Sequence, residues 1–427
     1  MGRSALRRES AWPLLILLAL GAIVRVWWLG QVDTQPVTDF DWYFERAAGI
    51  VAGQGYSVDA VATAYWPAGY PLFLSVFFWI FGSTVSVAKA VNLLLTLSCV
   101  ALTYLITHRL TTCRPVALVA AAIVCFSPAM IAYSGILASE PLFCALLLVS
   151  VYLSVLSLTR PALWYVTGLA SALAAMVRPQ AVLVPFVLLL AHWIWRGKTE
   201  RFQPLIATVA VTLSLIIGLL PWTIRNAVIY KSFVFISTNG GDNLWIGNNP
   251  KATGEYIPPP GRPSTPSNEL KNDRETRKLA IQHMTKNPRE VIGLWPKKFA
   301  ATFFKSTDAP YWAFQTKRGE LVVPGMGPER NLFLKFRSIN KIYTVSLFVL
   351  ACLGLFAGLL STKGRRIIVV AASQVALVTV ITFVFFGNGR FGFSAIPFLA
   401  ILSSGLLMTM LEWTGAASGE DDLLDDE

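Results

Sequence analysis

Ten stretches of this sequence are apolar for roughly the length that an α-helix needs to cross a hydrocarbon layer about 30 Å thick. They lie near residues 11–30, 85–107, 115–135, 141–158, 163–178, 180–195, 203–222, 340–360, 367–386 and 392–411. In lipid every backbone polar group must find an internal partner, so segments of this kind are held to closed structures. The rest of the composition agrees. Hydrophobic residues make up 55% of the chain and charged residues only 14%, where a soluble protein carries about 25% charged residues. An ordinary cytosolic enzyme and a disordered or fibrous chain are both excluded. The expected fold is an all-α polytopic membrane protein of about ten transmembrane helices.

Basic residues set the expected orientation. With the N-terminus in the cytoplasm, the inside segments hold Arg3, Arg7 and Arg8, then Arg109 and Arg114, then Arg160. Arg196, Lys198 and Arg201 follow, and Lys363, Arg365 and Arg366 complete twelve basic residues on short inside segments. No A-x-A-like cleavage site follows the first run, which reads as a retained span rather than a signal peptide. The parity requires that Tyr70–Gly82, at 13 residues, be re-entrant or interfacial rather than spanning.

The chain then divides into an N-terminal transmembrane module (residues 1–222), an outer segment (223–338), C-terminal helices (339–411) and an acidic inner tail (412–427). Residues 31–69 form an outer first loop with juxtamembrane helices. The outer segment holds 18 Lys+Arg against 9 Asp+Glu, a surplus that suits a solvated surface beside anionic lipid or glycan better than a nucleic-acid surface. Its Pro-rich stretch Ile257–Pro266 reads as loop and Asn268–Asn287 as a solvated helix.

Chemistry is narrowed by what is scarce. The three histidines are far apart, and the five cysteines show no CxxC or paired spacing. A Ser-His-Asp triad and a His-based metal cage are therefore not expected, and proton transfer falls to carboxylates. Asp39 and Asp41 stand just beyond the first span. Thr38 followed by Asp41 resembles a capping box, which would account for Asp41 but not for Asp39. Glu140 precedes Pro141 at the mouth of the fourth span, where a helix N-terminus alone would favour a negative charge. Carboxylates beside hydrocarbon also tend to line functional cavities.

Four arginines lie at the same depth: Arg25, Arg178, Arg225 and Arg390. Snorkelling or interface anchoring accounts for any one of them, yet four on the outer side run against the positive-inside bias. Guanidinium forks suit a lipid phosphate or diphosphate. Most tryptophans read as belt and core, with Trp66 and Trp245 as candidates for stacking on a sugar.

In this order the motifs resemble the GT-C fold membrane glycosyltransferases that use polyprenyl-phosphate sugars. The resemblance is to the branch with the protein O-mannosyltransferases and the lipid A aminoarabinose transferase. It is carried by Asp39-x-x-x-Tyr43 with AAGIVAGQGY, Trp66-Pro-Ala-Gly-Tyr-Pro-Leu-Phe, Ala138-Ser-Glu-Pro-Leu-Phe143 and Met176-Val-Arg-Pro179. Leu220-Pro-Trp-x-x-Arg-Asn226, Ser237-Thr-Asn-Gly-Gly-Asp-Asn-Leu-Trp-Ile-Gly-Asn-Asn249 and Arg390-Phe complete it. The match is least secure over residues 250–340.

The resemblance implies an inverting displacement on the extracytoplasmic face of a bacterial inner membrane. The donor is a polyprenyl-phosphate sugar, and the acceptor a lipid, glycan or protein. Asp39 is implied as base or acceptor-positioning acid, with Asp41 open as its alternative, and Glu140 as the second acid. Arg25, Arg178, Arg225, Arg390, Trp66 and Tyr43 are the implied substrate-binding residues. No metal or cofactor is required by this logic. The chain departs from the family in having Asp-Phe-Asp where an Asp-Glu pair is common. With the tenth run ending close to residue 427, segment 223–338 is expected to supply acceptor selectivity. The competing readings are a ligase or polymerase using lipid-diphosphate glycans, and a non-enzymatic flippase or transporter. The latter favours mid-membrane charge and internal repeats, neither of which is evident.

Overall fold

The structure, a computed structural model, describes residues 11–196, 203–258, 265–315 and 328–415. Arg3, Arg7, Arg8, Lys198, Arg201, most of the Pro-rich stretch and the acidic tail lie outside the described residues.

The chain opens with α1 (Trp12–Gln31), then α2 (Asp39–Val51), a two-stranded hairpin of β1 (Ser57–Val58) and β2 (Val61–Ala62), and α3 (Gly69–Phe81). The bundle continues with α4 (Val85–Thr111), α5 (Arg114–Cys125), α6 (Pro128–Ala132), α7 (Glu140–Leu156) and α8 (Leu163–Val177). A 3-10 turn (Pro179–Leu183) leads into α9 (Val184–Arg196) and then α10 (Pro204–Tyr230). The outer segment holds α11 (Gly240–Gly247), α12 (Glu269–Lys286), α13 (Pro288–Gly293), α14 (Trp295–Phe303) and α15 (Asp308–Ala313). The chain returns through α16 (Pro328–Leu359), α17 (Thr362–Val384), α18 (Gly389–Phe393) and α19 (Ile396–Trp413).

All ten apolar runs are helical, and the chain is an integral membrane protein. Among the described residues six helices are long and apolar enough to cross a membrane: Trp12–Gln31, Val85–Thr111, Pro204–Tyr230, Arg330–Leu359, Gly364–Val384 and Ile396–Trp413. The others are shorter, for reasons visible in the sequence. The run at 115–135 breaks after Cys125, where Pro128 lacks an amide donor and the Ser127 hydroxyl caps α6. The run at 180–195 opens as a 3-10 turn that begins on Pro179. Two helices outrun their apolar runs. α10 continues through Pro221 to Tyr230, and α16 begins at Pro328. The boundaries drawn at 222/223 and 338/339 thus fall inside helices, and the outer segment begins and ends on helices continuous with spans.

α7 is the central helix, buried along most of its length. Thr103, Thr107 and Thr111 on α4 are buried with their hydroxyls donating to carbonyls one turn back, so these polar side chains need no partner from another helix. Large apolar side chains face outward instead, among them Ile23 and Trp27 on α1, Ile217 on α10 and Phe356 on α16. On a soluble protein such a surface would be an aggregation hazard, whereas in lipid it is the solvated face. α3 is a 13-residue helix, as its length predicts, and packs against α2, α4 and α8.

Candidate active site

Four short-range features bring one cluster together at the end of the bundle that carries the first loop. α2 starts at Asp39, with Thr38 before it held at φ 54° and ψ −123°, a conformation that costs a β-branched residue steric strain. The Thr38 hydroxyl does not cap the helix. It donates to Asp39 Oδ1 at 3.0 Å. The expected capping box is therefore absent, and Asp41 is left without that role.

Glu140 is the first residue of α7, followed by Pro141, a position where the unpaired amides of the helix start favour a carboxylate. It is 1% exposed. Arg178 ends α8 in an extended conformation, the one favoured for a residue before proline. Arg390 rides on α18, whose start is capped by Asn388 Oδ1 accepting the Arg390 amide at 2.9 Å. The turn before it approaches α15 so closely that a Cβ on Gly389 would lie 2.4 Å from Asp308 Oδ2. Only glycine fits there.

These elements place Arg390 between the two acids. Its Nη1 donates to Asp39 Oδ2 at 2.8 Å, and its Nε donates to Glu140 Oε1. Arg178 Nη2 lies 2.8 Å from the same Glu140 oxygen. Two guanidiniums therefore share one buried carboxylate, while Asp39 holds the second guanidinium from its more accessible side. The flanking surfaces are aromatic, with Arg390 4.7 Å over the Phe40 ring and Arg178 near the rings of Phe143 and Phe391. One donor and one acceptor remain over. Arg178 Nε and Glu140 Oε2 are buried without a protein partner.

Tyr43 lies four residues after Asp39 and so on the same helix face. It joins an aromatic wall, with ring centroids 5.6 Å from Tyr70 and 6.3 Å from Trp66. Burial and then the Asp39 carboxylate push its phenol well above the usual range, which keeps it a neutral donor. Trp66 also meets Trp42 edge-on at 4.8 Å. The Trp66–Tyr70 motif is seated by Gly69, where a Cβ would collide with the Met176 backbone at 2.5 Å. The first-loop motif and the Met176–Pro179 motif are thus in direct contact.

Two of the four arginines do not join the cluster. Arg25 is fully buried within α1 and donates to Thr96 Oγ1, Gly21 O and Cys125 O. It ties α1 to α4 and α5 by neutral acceptors, which correct the expected substrate role. Arg225 donates to the Thr63 and Tyr56 carbonyls at 2.8 and 2.9 Å and stacks over Trp222. It fastens the first-loop hairpin to α10. Asp41 lies about 200° around the helix from Asp39 and makes no contact with the cluster. Trp245 sits on α11, outside it. Sequence reasoning gave no role to Phe40 or to the ring of Phe143, which carry no charge to attract notice, and it read Thr38 as a cap rather than as a strained residue. It also missed Glu269, which accepts Thr63 Oγ1 at 2.7 Å and the Ala64 amide at 2.8 Å and so anchors the first loop to α12.

Residues 66–222 match the family described as dolichyl-phosphate-mannose-protein mannosyltransferase. The stretch runs from Trp66 through Glu140 and Arg178. No curated protein matches in sequence. Among solved structures, the oligosaccharyltransferase AglB of Archaeoglobus fulgidus, in complex with an inhibitory peptide and a dolichol-phosphate, superposes with a TM-score of 0.56 at 13% identity. The alignment covers 96% of this chain and 52% of that one, and the apo form gives a TM-score of 0.57. The chain therefore spans about half the length of that enzyme. ArnT of Cupriavidus metallidurans, bound to undecaprenyl phosphate, aligns over 93% of this chain and 78% of its own at 13% identity and a TM-score of 0.44. The fold expected from the sequence motifs, that of the GT-C glycosyltransferases, is the fold observed.

Proposed function

We propose that this chain, built on the GT-C fold, is a membrane glycosyltransferase that takes its sugar from a polyprenyl-phosphate donor on the extracytoplasmic face. The observation that carries the reading is the Asp39–Arg390–Glu140–Arg178 cluster. It combines an accessible carboxylate with guanidinium donors at one end of the helical bundle. The partial family match and the lipid-phosphate complexes of the two solved neighbours support the donor class.

The roles follow from chemistry. The leaving group of such a donor is already an anion, so the transition state needs positive charge beside the departing phosphate more than it needs a proton. Arg178 supplies it, with one nitrogen on Glu140 and its Nε still to be used. Glu140 holds both guanidiniums in place. Asp39 accepts the proton of the incoming hydroxyl or amine as it attacks the anomeric carbon from the opposite side, which inverts that centre. Removing such a base lowers rates by about 10²–10⁴-fold.

The test supplies purified protein with labelled polyprenyl-phosphate sugars and an acceptor extract, comparing wild type with Asp39→Asn. Transfer by the wild type and a loss of about a hundredfold or more in kcat for the variant are expected. A fully active Asp39→Asn, or a broad donor panel left unconsumed, overturns the reading.

A further inference from the structure

Two open grooves lie away from the cluster, one on each face of α12. A groove of about 510 Å³ runs between residues 233–238 and one face of α12, and a second of about 570 Å³ flanks the other face. The two meet at Leu270 and Arg274, which line both. They open on the same end of the bundle as the first loop, since Thr238 N donates to the Ala64 carbonyl at 2.9 Å.

Three independent features describe what the first groove accepts. Its charge is positive: Arg274, Arg277 and Lys278 line it with Asp273 as the one acid. That acid is already engaged by the Gly241 amide at 2.6 Å and by Arg277 at 2.7 Å. Arg274 donates through Nη2 to the Ser232 hydroxyl, a neutral acceptor, so its charge and that of Lys278 are not offset by this carboxylate. Its lip is apolar, with Phe233 75% exposed and stacked on Phe235. The chain folds back here onto the end of the apolar run of α10, where Thr223 Oγ1 donates to the Phe235 carbonyl at 3.0 Å and Trp222 Nε1 to the Ile236 carbonyl at 2.8 Å. Third, Thr238 is 1% exposed and lines the groove, and its hydroxyl has no protein partner. A buried hydroxyl is rarely left in that state.

We propose that this groove binds the net-anionic headgroup of an outer-leaflet lipid whose phosphate is its only charge, as in phosphatidylglycerol. Arg274 and Lys278 meet the phosphate, the Thr238 hydroxyl donates to one of its oxygens, and the acyl chains lie against Phe233 and Phe235. Aromatic and basic groups at one level are what an anionic lipid surface selects. The proposal takes from the preceding section only that this end of the bundle faces outward. The groove is separated from the reaction cluster by the Ala64–Trp66 strand of the first loop, so a lipid held here has its headgroup beside the aromatic wall rather than at Asp39.

The experiment reads binding, not transfer, and so stands or falls apart from the proposed activity. Full-length protein in detergent is titrated by calorimetry with dioctanoyl phosphatidylglycerol, dioctanoyl phosphatidylcholine and inorganic phosphate. Saturable binding is expected for phosphatidylglycerol alone. Arg274→Gln with Lys278→Gln removes two surface cations and raises its Kd by about thirtyfold. Thr238→Val, which leaves no orphan hydroxyl, raises it by about tenfold. Lys286→Gln, on the same helix but outside the groove, changes it less than twofold, and thermal unfolding of all three variants confirms that they fold. The proposal is overturned if phosphatidylcholine binds equally, if inorganic phosphate binds as tightly as the lipid, or if the double variant matches Lys286→Gln.

Discussion

Glu140 has an unusual assignment for one residue. It is a buried carboxylate that two guanidiniums approach through the same oxygen, at a helix start that itself favours negative charge. Removing one partner of a buried ion pair leaves the other charge uncompensated, at a cost of about 3–5 kcal/mol. Glu140→Gln is therefore expected to lower thermal stability markedly, whereas Asp39→Asn, at a more exposed pair, lowers it by about 1 kcal/mol or less. A denaturation series on the two variants checks the contrast, and equal losses would show that Glu140 is not the anchor. Asp39 and Glu140 were legible in the sequence because carboxylates near hydrocarbon are so few. Asp39 could not be told from Asp41 until the helix start at residue 39 put them on different faces. Arg25 lies apart from the cluster, held by Thr96, Gly21 and Cys125 oxygens, and such packing leaves no trace in the sequence.

At the scale of elements, the outer segment is joined to the bundle by buried polar contacts. Lys298 on α14 is fully buried and donates to Asn248 Oδ1 at 3.0 Å and to the Phe383 carbonyl at 2.9 Å, linking the loop after α11 to the end of α17. With no carboxylate to offset it, burial lowers the ammonium to about 8 from an ordinary 10.5. Below pH 8 folded and unfolded chains both carry the charge. Between about pH 8 and 10.5 the unfolded chain holds the proton that the folded chain has released, so stability rises with pH across that window. Thermal unfolding between pH 8 and 10 is expected to show this gain in wild type and to lose it in Lys298→Met. Helix existence was easy to read from the apolar runs. The ends were not, because α10 and α16 are extended past their runs by contacts with the first loop and α15 that no local pattern announces. The β1–β2 hairpin was invisible for a related reason. Its turn places Asp59 and Ala60 at φ 48° and 62°, where Gly is the usual signal.

At the scale of the whole molecule, the cluster, the aromatic wall and the α12 groove all lie at one end, joined by Arg225 and Glu269 through the first loop. On the orientation expected from the basic turns, that end is extracytoplasmic. In a background of Cys113→Ser and Cys352→Ser, Lys271→Cys is expected to react with an impermeant maleimide in intact cells. Arg160→Cys is expected to react only after permeabilisation, and the reverse pattern would place the reaction on the cytoplasmic side. The fold class was the most legible feature of all, since ten apolar runs admit few alternatives. The acceptor was the least legible, because no motif in the sequence names one.

The short helices carry a further consequence. Glu140 begins α7 and Arg178 ends α8, helices of 17 and 15 residues that reach about 22–26 Å at 1.5 Å per residue. The hydrocarbon they stand in is about 30 Å thick, so where the opposite ends sit at the inner boundary the cluster is sunk below the outer headgroup plane. On the proposed reaction, a bilayer beside this face must thin, or a prenyl phosphate must descend, for charge to meet charge. Membrane thickness would then be a variable of that reaction, and the chain reconstituted in lipids of increasing chain length is expected to transfer sugar more slowly.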